Sequence, residues 1–386
     1  MKKIIWKLLL VLISLNAQVF CEEVFDVISL KDGNEKEVIY EEPILLEENE
    51  KNLVEIINQN DFSEIAPNGI LNDKLTIKFN KGPIKEHKTE LMSFFGFSET
   101  MDSDDSDFNF RVLFLKLGFM GKFRSEKEKY VITTNLTPNL GGNFFHNLML
   151  DSYIESSRIP HHKLKIGTFR PAMGYEGSMA LFLIPFIYKT QIARNLSDAR
   201  KTGASLKGEY KYIDYSIEGF SSSTKYESFF PGVEGLIWLD FKPLAKFDNK
   251  YGNLKIGGGY QSGSRDSTDY NTVAVGMKYD YKNFWITSEY ARADGSNAGD
   301  GLTNKNRQGY NVTLCYKPID KLELLLRFDD FDNDLDISNN NTREYSAGMN
   351  YYIYEESVVL MLNYSYLENE IQNDSHRFII GAQILI

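Results

Sequence analysis

Seven basic residues fall between positions 163 and 201: Lys163, Lys165, Arg170, Lys189, Arg194, Arg200 and Lys201. Only Glu176 and Asp198 oppose them, so this stretch carries a net +5 inside a chain whose formal net charge is -11. Cations gathered around a narrow passage attract anions, and they pass them on if each contact is weak enough to release. The alternative for the same residues is a set of solvated loop charges, or contacts to lipopolysaccharide phosphates at a membrane rim. Catalytic and metal chemistry find less support. The five histidines, His87, His146, His161, His162 and His376, have no spacing that pairs them with a nucleophile. His161 and His162 are adjacent, and adjacent side chains on a strand point to opposite faces, which argues against a shared metal. The run Asp329-Asp330-Phe331-Asp332-Asn333-Asp334-Leu335-Asp336 offers hard oxygen ligands for calcium. It lacks the glycine and terminal glutamate of an EF-hand, so a solvated acidic loop is the competing reading. No enzyme activity and no cofactor is expected.

The elements that must position the basic residues are strands. Mean hydropathy of -0.35 excludes a bundle of membrane helices, and the acidic balance excludes a nucleic-acid binder. Phe (26), Tyr (23) and Gly (28) are abundant, while Cys (2) is scarce. That composition fits a transmembrane β-barrel, whose hydrophobicity alternates and so vanishes from averages. From residue 88 onward, sixteen segments of alternating character run from 88–100 to 374–386. Leu322, Leu324, Leu326 and Phe328 share one face, with Glu323, Arg327 and Asp329 on the other beside Leu325. Tyr345, Ala347, Met349 and Tyr351 repeat the pattern, as do Val358, Leu360, Leu362, Tyr364 and Tyr366. The same alternation turns Lys207, Lys255, Lys278 and Arg327 inward, together with Asp214, Glu218, Glu289, Glu323 and Glu344. Connections late in the chain alternate short and long, with 294–305 and 332–341 among the long ones, and a soluble sandwich has no reason to keep that rhythm. Tyrosines at strand ends, among them Tyr281, Tyr310, Tyr316, Tyr352 and Tyr354, fit aromatic girdles, although Tyr also simply favours strands.

The N-terminus supplies an address. Met1-Lys2-Lys3 followed by an apolar stretch to Leu15 reads as a secretory signal over residues 1–21. Acylation at Cys21 is the other reading, and bulky Phe20 fits it badly. With Cys21 removed, Cys315 has no partner within the mature chain. Residues 22–87 form an acidic segment with 16 acidic and 7 basic residues. It holds either a short helix over 44–57 or an acidic leader without one, and then a short strand at 75–79.

The connection from Pro171 to Ala199 is far longer than any other, and it contains the apolar run Met179-Ala-Leu-Phe-Leu-Ile-Pro-Phe-Ile-Tyr188. Such a run would not stay in water and is too short to span a bilayer, so it is expected to fold against the inside of the barrel.

Around this loop the sequence resembles the phosphate-selective porin O/P family. The resemblance lies in Lys165-Ile-Gly167-Thr-Phe169-Arg170-Pro171-Ala-Met-Gly174-Tyr-Glu176, then Phe186-Ile-Tyr-Lys189, then Arg200-Lys201-Thr-Gly203. It implies a homotrimeric outer-membrane porin with an inward-folded third loop and a basic channel for small anions such as phosphate. The expected fold is therefore all-β: a transmembrane antiparallel β-barrel of about sixteen strands over 88–386, with a long third loop folded inward and a short N-terminal periplasmic segment. Lipopolysaccharide and lipid would be its surroundings. A structural anchor whose acidic segment binds periplasmic or cell-wall partners is the alternative.

Overall fold

The computed structural model describes residues 76–102, 106–137, 148–223, 230–247, 250–299, 301–354, 357–371 and 373–386. The readings of a signal over 1–21, of the acidic segment as far as residue 75 and of His146 lie outside these residues. A three-residue strand β1 (Thr76–Lys78) precedes sixteen others. The first eight are β2 (Ile84–Met101), β3 (Ser106–Phe123), β4 (Glu128–Asn135), β5 (Met149–Ser156), β6 (His162–Phe169), β7 (Lys201–Glu209), β8 (Ile213–Ser221) and β9 (Val233–Phe241). The remainder are β10 (Asn253–Arg265), β11 (Thr268–Tyr281), β12 (Phe284–Ala298), β13 (Gly301–Ile319), β14 (Leu322–Asp332), β15 (Asn341–Tyr354), β16 (Val358–Asn369) and β17 (Ser375–Leu385). Each pairs antiparallel with the next, and β17 pairs back onto β2 through Gly381↔Gly96 and Leu385↔Met92. The sheet is thus a closed sixteen-stranded antiparallel barrel without a free edge. The expected short strand at 75–79 is present as β1, and it is not isolated: Thr76 pairs with Lys88 and Lys78 with Glu86. The barrel accordingly begins at Ile84.

The alternation of the sequence becomes an inverted burial pattern. Ile217 (51% exposed), Leu326 (58%) and Leu360 (44%) face outward, whereas Glu218 (5%), Arg327 (6%) and Asn363 (4%) are covered inside. A water-soluble fold would reverse this order, and a barrel with an apolar outer band requires it. Outward rings line up from strand to strand at one level: Tyr310 stands 5.6 Å from Phe328, Phe328 5.0 Å from Tyr345, and Tyr366 5.1 Å from His376. Tyr352, expected among the girdle residues, instead turns inward and donates to Glu323 (2.9 Å). A register shift between Tyr352 and Tyr354 in the β15–β16 pairing occurs at this place.

The loop rhythm differs from expectation in one place. Residues 294–305, read as a long connection, are mostly strand, because β12 runs on to Ala298 and β13 already begins at Gly301. A bulge between Asp294 and Ser296 carries Gly295 at φ +66°, which a glycine adopts without strain. Beyond it, Asn297 donates to the Ser222 carbonyl (2.7 Å) and to the Tyr270 hydroxyl (3.1 Å). Turn-forming residue types here build an extended hairpin held by side-chain hydrogen bonds.

Candidate functional site

The 170–200 segment leaves β6 and returns to β7 after being bonded to the facing wall. The Ile187 amide donates to Asn363 Oδ1 (2.7 Å) and the Gln191 amide to Asp329 Oδ2 (2.6 Å). From the wall, Asn350 reaches the Pro185 carbonyl (2.9 Å) and Arg327 the Tyr188 carbonyl (2.8 Å). Two ion pairs fasten it further, Arg327 to Glu176 (3.1 Å) and Arg194 to Glu344 (3.0 Å). Every buried amide or carbonyl matched in this way avoids a desolvation cost of ~1–3 kcal/mol.

Apolar contacts explain inward residues that break the polar inner face. Met92, Phe94, Phe114, Val359, Met361 and Ile379 form a patch on the inner wall around Ile187. Phe186 packs on Cys315 and Leu325, and the Arg327 guanidinium lies 4.3 Å over its ring. On the other side Tyr175 meets Trp238 edge-on at 5.7 Å and donates to Asp240 (2.9 Å). Burial, the largest effect, and the Asp240 charge push the Tyr175 phenol above its ordinary value. The glycines of β10 and β11 make room for that ring: a Cβ at Gly257 would stand 2.7 Å from the Tyr175 hydroxyl, and one at Gly276 2.8 Å from its ring edge. The Gly257-Gly258-Gly259 run thus serves close approach.

The seven basic residues do not form a single ring. Arg170, Lys189 and Arg200 come together. Asp198 accepts from both Arg170 (2.7 Å) and Lys189 (3.1 Å), while Arg200 grips Asp151 with two nitrogens at 2.8 Å each. Lys163 pairs with Glu209 (3.0 Å) lower on β6, and Lys165 lies 3.9 Å from Glu155 and 4.4 Å from the Tyr153 ring centre. Arg194 serves the facing wall. Lys201 is buried against Glu234, which also accepts from Tyr270 (2.6 Å) and Gln261 (2.6 Å). In the loop, burial pushes Lys189 down to about 8 against the opposing pull of Asp198. Burial acts to raise Asp198, but Arg170 and Lys189 outweigh it and hold that carboxyl well below the usual range.

A fourth cation joins this group without having stood out in the sequence. Lys116 on β3 is buried, lies 5.0 Å from the Phe114 ring centre, and is within electrostatic reach of Arg200, Arg170, Asp151 and Asp198. Among the described residues no carboxylate comes within ion-pair distance of it. Its signal in the sequence is a lone charge inside the apolar run Val112 to Phe119, on the inward parity of β3. Lys116, Arg170, Lys189 and Arg200 together share two carboxylates, Asp151 and Asp198. Among the described residues the group therefore gathers four cations about two carboxylates, a surplus of two positive charges.

The profile of the Gram-negative porin family matches residues 117–372. No curated protein matches in sequence. Among solved structures, the anion-selective porin from Comamonas acidovorans is similar at 10% identity and TM-score 0.59, covering 78% of this chain and 99% of its own. OmpF of Salmonella typhi, in complex with daunomycin, is similar at 14% identity and TM-score 0.59, covering 81% and 100%. The trimer form of OmpT from Vibrio cholerae gives 11% identity and TM-score 0.55, covering 78% and 99%. At such identities the likeness speaks for the fold. A closed barrel with an apolar outer band is an outer-membrane architecture, and the profile spans about two thirds of the sequence. The chain belongs to the Gram-negative porin family.

Proposed function

We propose that this porin passes small hydrophilic solutes through its barrel with a preference for anions, phosphate among them, and that the passage is narrowed by the 170–200 segment. The observation that carries the preference is the surplus around Lys116, Arg170, Lys189 and Arg200, where four cations face two carboxylates. Asp198 and Asp151 fix the guanidinium planes, so the cations stand ready without reorganising, and the field of the unmatched charge, projected from covered side chains, is what a passing anion feels. Lys163 and Lys165 with Lys129, which pairs with Glu155 at 3.0 Å, extend basic character along the wall toward the short-turn end. Arg194 and Lys201, each tied to a carboxylate, act mainly by holding the loop and the wall. The preference is modest, because most cations are matched. Affiliation with the phosphate-selective O/P group rests on the loop motif. A homotrimer in lipopolysaccharide-bearing lipid agrees with the trimer form known for the similar OmpT.

The test is the reversal potential of the full-length porin in a planar bilayer under a KCl gradient. Chloride preference is expected, and Lys116→Ala combined with Arg170→Ala should move the potential toward zero. Cation preference in the unaltered protein would overturn the reading. Potassium phosphate in place of KCl then asks whether phosphate is favoured beyond its charge.

A further inference from the structure

Beneath the loop, in the half of the barrel that carries the β11–β12, β13–β14 and β15–β16 turns, lies a cavity of about 260 Å³ that none of the seven basic residues lines. Its volume sits just below the range of small-molecule sites. Two of its walls are apolar: Phe182, Leu183 and Ile184 from the loop, and Trp285, Val359 and Met361 from β12 and β16. Phe182 and Leu183 are only partly covered, so apolar surface faces the lumen, where a purely hydrophilic solute gains nothing from it.

The remaining wall is charged in equal measure. Lys278 and Asp280 stand two residues apart on the inward face of β11, and Lys317 and Glu323 face them from β13 and β14. Glu323 is fixed by Cys315 Sγ, Asn350 Nδ2 and the Tyr352 hydroxyl, each at 2.9 Å, with Lys317 at 3.8 Å. Arg327 also borders the cavity, but its guanidinium is engaged by Glu176 and the Tyr188 carbonyl. A solute bearing one sign of charge would meet as much repulsion as attraction here. One bearing both signs, with an apolar group attached, matches every wall.

We infer that this cavity is a second solute site, selective for small zwitterions with an apolar side group, of the amino-acid type. The inference rests on the barrel being an open channel and is independent of the anion preference set on the other side of the loop. The solute's carboxylate lies toward Lys278 and Lys317, its ammonium toward Asp280 and Glu323, and its side group against Phe182 and Met361.

The experiment is concentration-dependent block of the KCl current through the full-length porin in a planar bilayer, with leucine, glycine, isocaproate and isoamylamine as probes. Leucine should half-block at a concentration about 10-fold or more below glycine, the lower end of what a small apolar increment is worth in a fitted pocket. It should also half-block below isocaproate and isoamylamine, which keep the side group and one charge each. Met361→Ser should raise the leucine value toward that of glycine while leaving glycine where it was. Equal values for leucine and glycine overturn the inference, as does isocaproate or isoamylamine blocking better than leucine. The comparison of probes on the unaltered protein decides the matter even if the variant does not fold. Absence of any current overturns the channel reading beneath both proposals, whereas current without discrimination overturns this one alone.

Discussion

Arg200 and Asp151 meet through two nitrogens and two oxygens at 2.8 Å, both well covered by the wall. Arg200→Ala leaves the Asp151 carboxylate buried with that partner gone, and the loss should be ~3–5 kcal/mol. The urea midpoint of the lipid-reconstituted barrel measures it. Arg200→Lys should recover only some of this, because an ammonium cannot reproduce the forked geometry. Lys189 gives a pH signature. Its value in the fold is about 8 against 10.5 in the free side chain, with burial as the main cause and Asp198, Arg170 and Glu176 as its charged surroundings. Raising the pH through 8 neutralises it and cuts the local surplus from two charges to one, so chloride preference should decline from pH 7 to pH 9. Lys189→Met should flatten that decline. The sign for stability is opposite: between about 8 and 10.5 the unfolded chain holds more protons, so the cost that burying this residue imposes on folding shrinks as pH rises through that window.

Strand positions are legible in the sequence because alternation is local: the segment 233–242 forms Val233–Phe241, and 342–353 forms Asn341–Tyr354. The site is legible only to a degree. Arg170, Lys189 and Arg200 are local in sequence, as is Asp198, but Lys116 and the other carboxylates are not: Arg200 finds Asp151 on β5 and Lys201 finds Glu234 on β9. Those matches depend on barrel register, which alternation leaves open by whole steps of two residues. Leu325, Met361 and Ile379 carry a readable hint, since apolar residues on a polar inner face need a cover, and the loop supplies it. The loop as an element can be tested through that cover. Phe186→Ala removes a ring packed on Cys315 and Leu325 and should cost about 3 kcal/mol, the lower end for such a truncation because the loop can shift. Single-channel recordings should then show a larger and noisier conductance. A steady, unchanged conductance would mean that Phe186 does not hold the constriction.

At the scale of the whole molecule, closure carries the fold. β17 joins β16 to β2, and Leu91 and Ile386 exchange both backbone hydrogen bonds at 2.8 and 2.9 Å. Removing residues 375–386 would leave β16 and β2 as open edges in lipid, where each unmatched peptide group costs several kcal/mol. That truncation should abolish the heat-resistant compact band seen on gels for a closed barrel. Removing residues 22–75 should leave single-channel conductance intact, since sixteen strands remain; loss of conductance would tie the acidic segment to the pore.

The three-residue β1 has a mechanical meaning. Its register sets Thr76 opposite Lys88, and Arg124 adds hydrogen bonds to the carbonyls of Gly82 (2.8 Å) and Phe79 (3.1 Å). A pull on the chain before Thr76 loads this hairpin at its open end, so its bonds break in succession and never share the load. Tension on the chain before Thr76 would therefore peel β1 away at low force and stop at the continuous ladder of β2 and β3. Under such a pull the short strand would act as a fuse, giving way before the barrel wall does.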